Sequence, residues 1–181
     1  MALRDGMIDL VSQFRSYLQE SGTVIFSDDR LQQILDANSE SFTQEKLFIK
    51  PYYNNGSVWY ADYYLDKTWI EGTASSTTYI YNSNGTTVTN YVSDFVNGKF
   101  TFDANTLGTA YYMSGKSFNF FKAVSEGWNE KAAYYATNFD FTVEGRSYRK
   151  SQIITHCTER MKYFMSQANV SQGSIDRGDM C

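Results

Sequence analysis

The sequence predicts an α+β fold: a helical bundle of two N-terminal helices and a C-terminal αα-hairpin, with an inserted small antiparallel β-sheet. Three observations lead there. Apolar residues recur at spacings of three and four near both ends of the chain, which is the period of a helix face. From Leu47 to Phe102 that period gives way to Tyr, Val, Ile, Thr and Trp, punctuated by Asn55-Gly56, Asn84-Gly85 and Asn97-Gly98. Asn-Gly is the strongest short-range hairpin signal, because both residues tolerate positive φ. After Ala168 the chain holds too little apolar surface to fold alone, so 169–181 is expected to be a flexible C-terminal tail.

Taken in order, Leu3, Met7, Leu10, Val11, Phe14, Tyr17 and Leu18 make the first apolar stripe, with Gly22 placed to close the helix. The second helix starts at Ser27 as N-cap, with Asp28 and Asp29 where negative charge meets the positive helix end. Leu31, Ile34 and Leu35 form its buried side, and it stops near Asn38, since Asn38-Ser39-Glu40-Ser41 shows no apolar period. The hairpin signals then pair Phe48 to Tyr53 with Val58 to Leu65, Thr77 to Tyr81 with Thr86 to Val92, and Phe95 or Val96 with Phe100 to Phe102. Thr73 to Thr78 reads as an exposed loop. Both sheet faces carry aromatics, as in Trp59, Tyr60, Tyr63 and Tyr64, so part of the second face is expected to pack on helices or on another subunit.

Ser114 to Ala168 is the helical pair. Phe118, Phe121, Val124, Trp128, Ala132, Tyr135 and Phe139 share one helix face; Ile154, Cys157, Met161, Phe164 and Ala168 share another. A short turn from Asp140 to Gly145 joins them. With 181 residues, the chain is read as one domain, 1–181, with 47–103 the β-rich insertion and 169–181 the tail.

Composition narrows the function. A net charge of −4 argues against tight phosphate binding, which needs surplus Lys and Arg. No apolar run approaches the roughly 18–20 residues that cross a bilayer, and no signal-peptide pattern opens the chain, so it is read as soluble and cytosolic. The sequons at Asn55, Asn84 and Asn169 then accept no glycan. Cys157 and Cys181 make neither a disulfide framework nor a metal cluster, and Cys157 lies on an apolar face as a small hydrophobe.

No complete catalytic set can be assembled. His156 is the only histidine and reads as a polar residue on a helix flank. Asp62, Asp66, Glu71 and Asp94 could pair as glycosidase carboxylates, but read better as solvated edge and turn acids. There is no phosphate-cradling loop or nucleophile elbow. The expectation is therefore a protein that is not an enzyme and uses no cofactor or metal. Arg146, Arg149 and Lys150 form the one dense basic run, at the start of the last helix. Either they contact phosphate, DNA or an acidic partner, or they are a solvated first turn; cations there oppose the helix dipole.

Residues of the helical pair carry a resemblance. Trp128, Lys131-Ala132-Ala133, Phe139-Asp140-Phe141, Glu144-Gly145, Tyr148-Arg149-Lys150-Ser151-Gln152 and Met161-Lys162-Tyr163 together resemble the head-to-tail adaptor (connector, or neck) proteins of tailed bacteriophages. The segment from Phe26 to Asp36 is similar to the capped helix that precedes a strand-rich insertion in that family, and Ile175 to Asp179 is similar to its short Arg-x-Asp endings. The resemblance implies a virion protein of the neck, made in the host cytoplasm. It would form a homo-oligomeric, dodecameric ring that docks on the portal protein, extends the DNA channel and receives a further neck or tail protein below. Passing genomic DNA would meet it by non-specific contact only, and no membrane is involved. Ser174, Ile175, Asp176, Arg177, Gly178, Asp179 and Met180 are then the expected portal-binding residues. The alternative is an aromatic-rich carbohydrate-binding module of a virion or surface protein, using the Tyr and Trp residues of the sheet.

Overall fold

A computed structural model describes residues 3–72, 80–137, 141–143, 146–148 and 150–171. The fold is α+β, with four α-helices and antiparallel sheets among the described residues. By its internal contacts the chain divides into two compact units, Met1–Val11 with Ser39–Phe118, and Ser12–Asn38 with Asn119–Cys181.

The first unit holds two sheets where the hairpin signals suggested one. One sheet has the order β1-β7-β4, from Ser39–Lys46 (β1), Ile80–Asn82 (β4) and Tyr111–Phe118 (β7). The other has the order β2-β3-β6-β5, from Phe48–Asn54 (β2), Ser57–Tyr64 (β3), Tyr91–Asp94 (β5) and Lys99–Phe102 (β6). Strands therefore extend on both sides of 47–103. The β2–β3 hairpin turns on Asn55-Gly56 as expected, both at positive φ. The β5–β6 turn is shifted: Asp94 pairs with Lys99, and Phe95 and Val96 belong to the loop instead of the strand. Asp94 organises that loop by accepting the Asn97 backbone N–H at 3.1 Å. Gly98 is required there twice over, since its φ is +62° and an added Cβ would lie 2.2 Å from the Lys67 carbonyl oxygen. Ile80 and Tyr81 do meet the Thr86–Val88 segment, but the ladder partner of β4 is β7; 77–79 lie outside the described residues.

Phe42, Leu47, Tyr63, Leu65, Ile70, Ile80, Tyr91, Phe100, Phe102 and Met113 form the core of this unit. Strand alternation puts Ala61 and Tyr63 inside while Asp62 and Tyr64 turn outward. The Phe102 and Tyr111 rings stack at 4.7 Å, with Tyr63 edge-on to both. The Tyr63 hydroxyl donates to the Thr109 carbonyl at 2.8 Å, so this phenol is buried with a partner. Arg4 and Glu71 form a two-pronged ion pair at 2.7 and 3.1 Å. β2 runs along the outer edge of its sheet and contains Pro51, which has no N–H to donate.

In the second unit, α1 (Ile8–Tyr17, its first residues belonging to the first unit) ends differently from expectation. Gln19, not Gly22, takes the left-handed position at φ 54°. Glu20 N–H donates to the Arg15 carbonyl and Gln19 N–H to that of Ser16, the two bonds of a Schellman cap. The expected N-cap of α2 (Asp28–Ala37) is present: Ser27 Oγ accepts from Arg30 N–H at 3.2 Å. α3 (Phe120–Thr137) starts later than the Ser114 of the apolar pattern, because 114–118 belong to β7. Asn119 caps it, its side-chain oxygen accepting from Lys122 N–H at 3.1 Å.

α3 and α4 (Lys150–Ser171) pack along one another, and Cys157, Phe164 and Ala168 are buried as their spacing predicts. Their connection is a correction to the short turn. Phe141–Val143 (β8) and Arg146–Tyr148 (β9) pair antiparallel, Val143 opposite Arg146. β-Branched and aromatic residues in 141–143 and at Tyr148 favour strands there. Phe139 and the tail 172–181 lie outside the described residues.

Candidate interaction surface

The expected portal-binding residues, Ser174 to Met180, lie outside the described residues, as does Arg149. Arg146 stands in β9 and Lys150 opens α4, so the basic run straddles the end of the hairpin and the helix start. The four candidate carboxylates are not gathered into a pair. Asp62 is held by Lys99 Nζ at 3.2 Å and by the Thr101 hydroxyl at 3.0 Å, Glu71 by Arg4, and Asp94 by its own turn; Asp66 is exposed. His156 is exposed on α4, edge-on to Trp128 at 5.6 Å. Among the described residues no group of three or more His, Cys, Asp or Glu could hold a metal ion, and no helix is long and apolar enough to cross a membrane.

One charged cluster escaped the sequence reading. Lys131 lies on the buried face of α3, its ammonium donating to the Leu18 carbonyl at 2.7 Å and 5.0 Å from the Trp128 ring centre. Burial pushes that ammonium down, partly opposed by the charge of Glu20. Glu20 accepts the backbone N–H groups of Ile25 and Phe26 at 2.8 and 3.2 Å. Arg15 donates to the carbonyls of Gly22 and Phe26 and to Asp28. Burial pushes the Cys157 thiol up, with Lys131 acting against it. These side chains tie the α1–α2 connection to α3; they bind the chain to itself. The signal for Lys131 was available, since it falls three residues after Trp128 on the apolar stripe.

The outward face of the four-stranded sheet is different. Register places Phe48, Tyr64, Lys99 and Asp94 in one row and Lys50, Asp62, Thr101 and Val92 in the next. Tyr52 and Trp59 follow as a cross-strand pair, ring centres 6.5 Å apart and planes tilted by 38°. Lys99 Nζ sits 5.7 Å from the Tyr64 ring centre, and its hydrogen bond with Asp62 holds it above the usual lysine value. Phe48, Tyr52 and Val92 are exposed. Aromatic rings alternating with paired charges on an open sheet can stack against a flat partner and anchor it by hydrogen bonds. The chain matches no protein-family model, no curated protein and no solved structure.

Proposed function

We propose that the chain is a structural virion protein of the tailed-bacteriophage neck, assembling into a homo-oligomeric ring beneath the portal, where it joins head to tail and extends the DNA channel. The observation that carries this reading is where the resemblance falls. The segment Phe26 to Asp36 and the segment Trp128 to Tyr163, far apart in sequence, belong to one compact unit, α2 with α3 and α4. Three physical points support it. A closed ring needs contacts between unlike faces of neighbouring copies, which suits apolar surface on several elements. A net charge of −4 lets DNA slide past without salt-dependent phosphate contacts. A tail poor in apolar residues can order on a partner, and many such tails gain avidity together.

In this reading Ser174 to Met180 bind the portal, with Ile175 as apolar anchor and Asp176, Arg177 and Asp179 in charge-assisted contacts. Arg146, Arg149 and Lys150 are assigned to an acidic neighbour or to passing DNA. Deleting 174–180 is expected to leave the circular dichroism spectrum unchanged while abolishing attachment to portal-bearing heads seen by negative-stain microscopy. Undiminished attachment would refute the assignment.

The tilted Tyr52–Trp59 pair beside Asp62, Thr101 and Lys99 favours a second reading, a carbohydrate-binding module. Calorimetric titration with glycans separates the two, because a sugar-binding module saturates as an isolated monomer.

A further inference from the structure

The β2–β3 hairpin outruns its sheet. β3 pairs with β6 only from Asp62 to Tyr64, whereas β2–β3 pairing continues to Asn54 opposite Ser57. Beyond Asp62 the hairpin is a two-stranded ribbon whose inner edge is closed by a loop: Asn105 accepts from Tyr60 N–H at 3.1 Å, and Thr106 N–H donates to the Tyr60 carbonyl at 3.1 Å. The backbone is provided for; the side chains are not.

Tyr52 and Trp59 lie on one face of the ribbon, Tyr53 and Val58 on the other. Tyr53 and Leu107 are each 82% exposed, Phe48 62% and Tyr52 41%. Pro51 to Tyr60 carries no charged residue. An isolated two-stranded ribbon is marginal in water, and one that is apolar on both faces gains its stability by being covered.

We propose that a second copy of this chain covers the ribbon, so that Phe48, Tyr52, Tyr53, Val58, Trp59 and Leu107 form the centre of a self-association interface. With aromatic side chains of about 150–250 Å² each, the exposed parts of these six amount to roughly 600 Å² over the ribbon's two faces, the greater part of the about 800 Å² per partner in a standard interface, so the covering copy clasps the ribbon from both sides. Charge is compatible with a second copy. The chain carries −4, yet the ribbon is uncharged and the adjoining sheet face balances Lys50 and Lys99 against Asp62 and Asp94. Two acidic copies can therefore meet here without like-charge repulsion. This inference rests on the reading of the chain as a self-assembling protein and names the surface.

The test is sedimentation velocity of the full chain from dilute to the highest attainable concentration, alone and with portal-bearing heads. It compares wild type, Tyr53→Lys with Leu107→Lys, and Val24→Lys as control, Val24 being 83% exposed outside the ribbon. The wild type and the control are expected to associate, and the double variant to weaken association at least about tenfold, as loss of a central aromatic contact does, with an unchanged circular dichroism spectrum. If all three associate equally, the ribbon is not the interface while self-assembly stands. If the wild type stays monomeric even with heads present, self-assembly itself is refuted and the ribbon's occupant is another molecule.

Discussion

The two compact units each place a polar group in the interior, and they do so by different means. In the strand-rich unit, Tyr63 sits among Phe102 and Tyr111 with its hydroxyl bonded to Thr109. In the helical unit, Lys131 brings a cation in, held by a carbonyl and a tryptophan face. The difference follows from backbone period. A strand sends every second residue out, so charged Asp62 and aromatic Tyr63 separate cleanly. The apolar stripe of a helix is broader, and a long lysine stem at its margin lies along the core before its head finds a partner. Interior polarity is thus a neutral hydroxyl tied to Thr109 in one unit and a cation tied to Leu18 in the other.

Three measurements test that contrast. The largest effect is expected from Trp128→Ala, which opens a cavity beneath Lys131 and removes the ring that faces its charge; urea melts should show a loss of about 4 kcal/mol. A loss below that of a surface substitution would mean that the helical unit does not depend on this pair. Tyr63→Phe leaves the strand core filled but strips the Thr109 carbonyl of its donor, so about 1–2 kcal/mol is expected in the same assay.

The smallest effect is a pH dependence. Burial lowers the Lys131 ammonium below 10.5, so between its folded value and 10.5 the unfolded chain binds more protons than the folded one. The wild type should therefore gain stability relative to Lys131→Met as pH climbs toward 10.5. A constant difference would show that the ammonium is solvated.

Much of this was legible beforehand, and the failures have physical causes. Ser27 was readable as a cap and Asn55-Gly56 as a turn because each acts through its immediate neighbours. The buried side of α4 was readable because nothing competes with its 3.6 period. β1 was not, since only Phe42 of its eight residues is buried, and an edge strand needs no apolar alternation. β7 was hidden by Gly115 and Lys116, and Phe118 happens to stand three residues before Phe121, which extended the helical pattern backwards into a strand. Gln19 at the α1 cap was invisible because the two local backbone bonds of the Schellman cap close there on a residue other than glycine. Lys131 was readable as a member of the apolar stripe, but its grouping with Arg15 and Glu20 was not, since those residues come together only after folding. The outward aromatic face was anticipated, whereas the extension of the ribbon past its sheet depends on a register that no single strand encodes.

Pro51 decides what kind of particle exposed strands can build. A rim with an unbroken row of amide donors invites endless addition of one chain after another, the growth mode of fibrils. A prolyl nitrogen in β2 interrupts that row, so this rim is a poor template for edge-to-edge addition of further strands. An acidic protein with conspicuous surface aromatics should then stay filterable and free of thioflavin-positive deposits on storage.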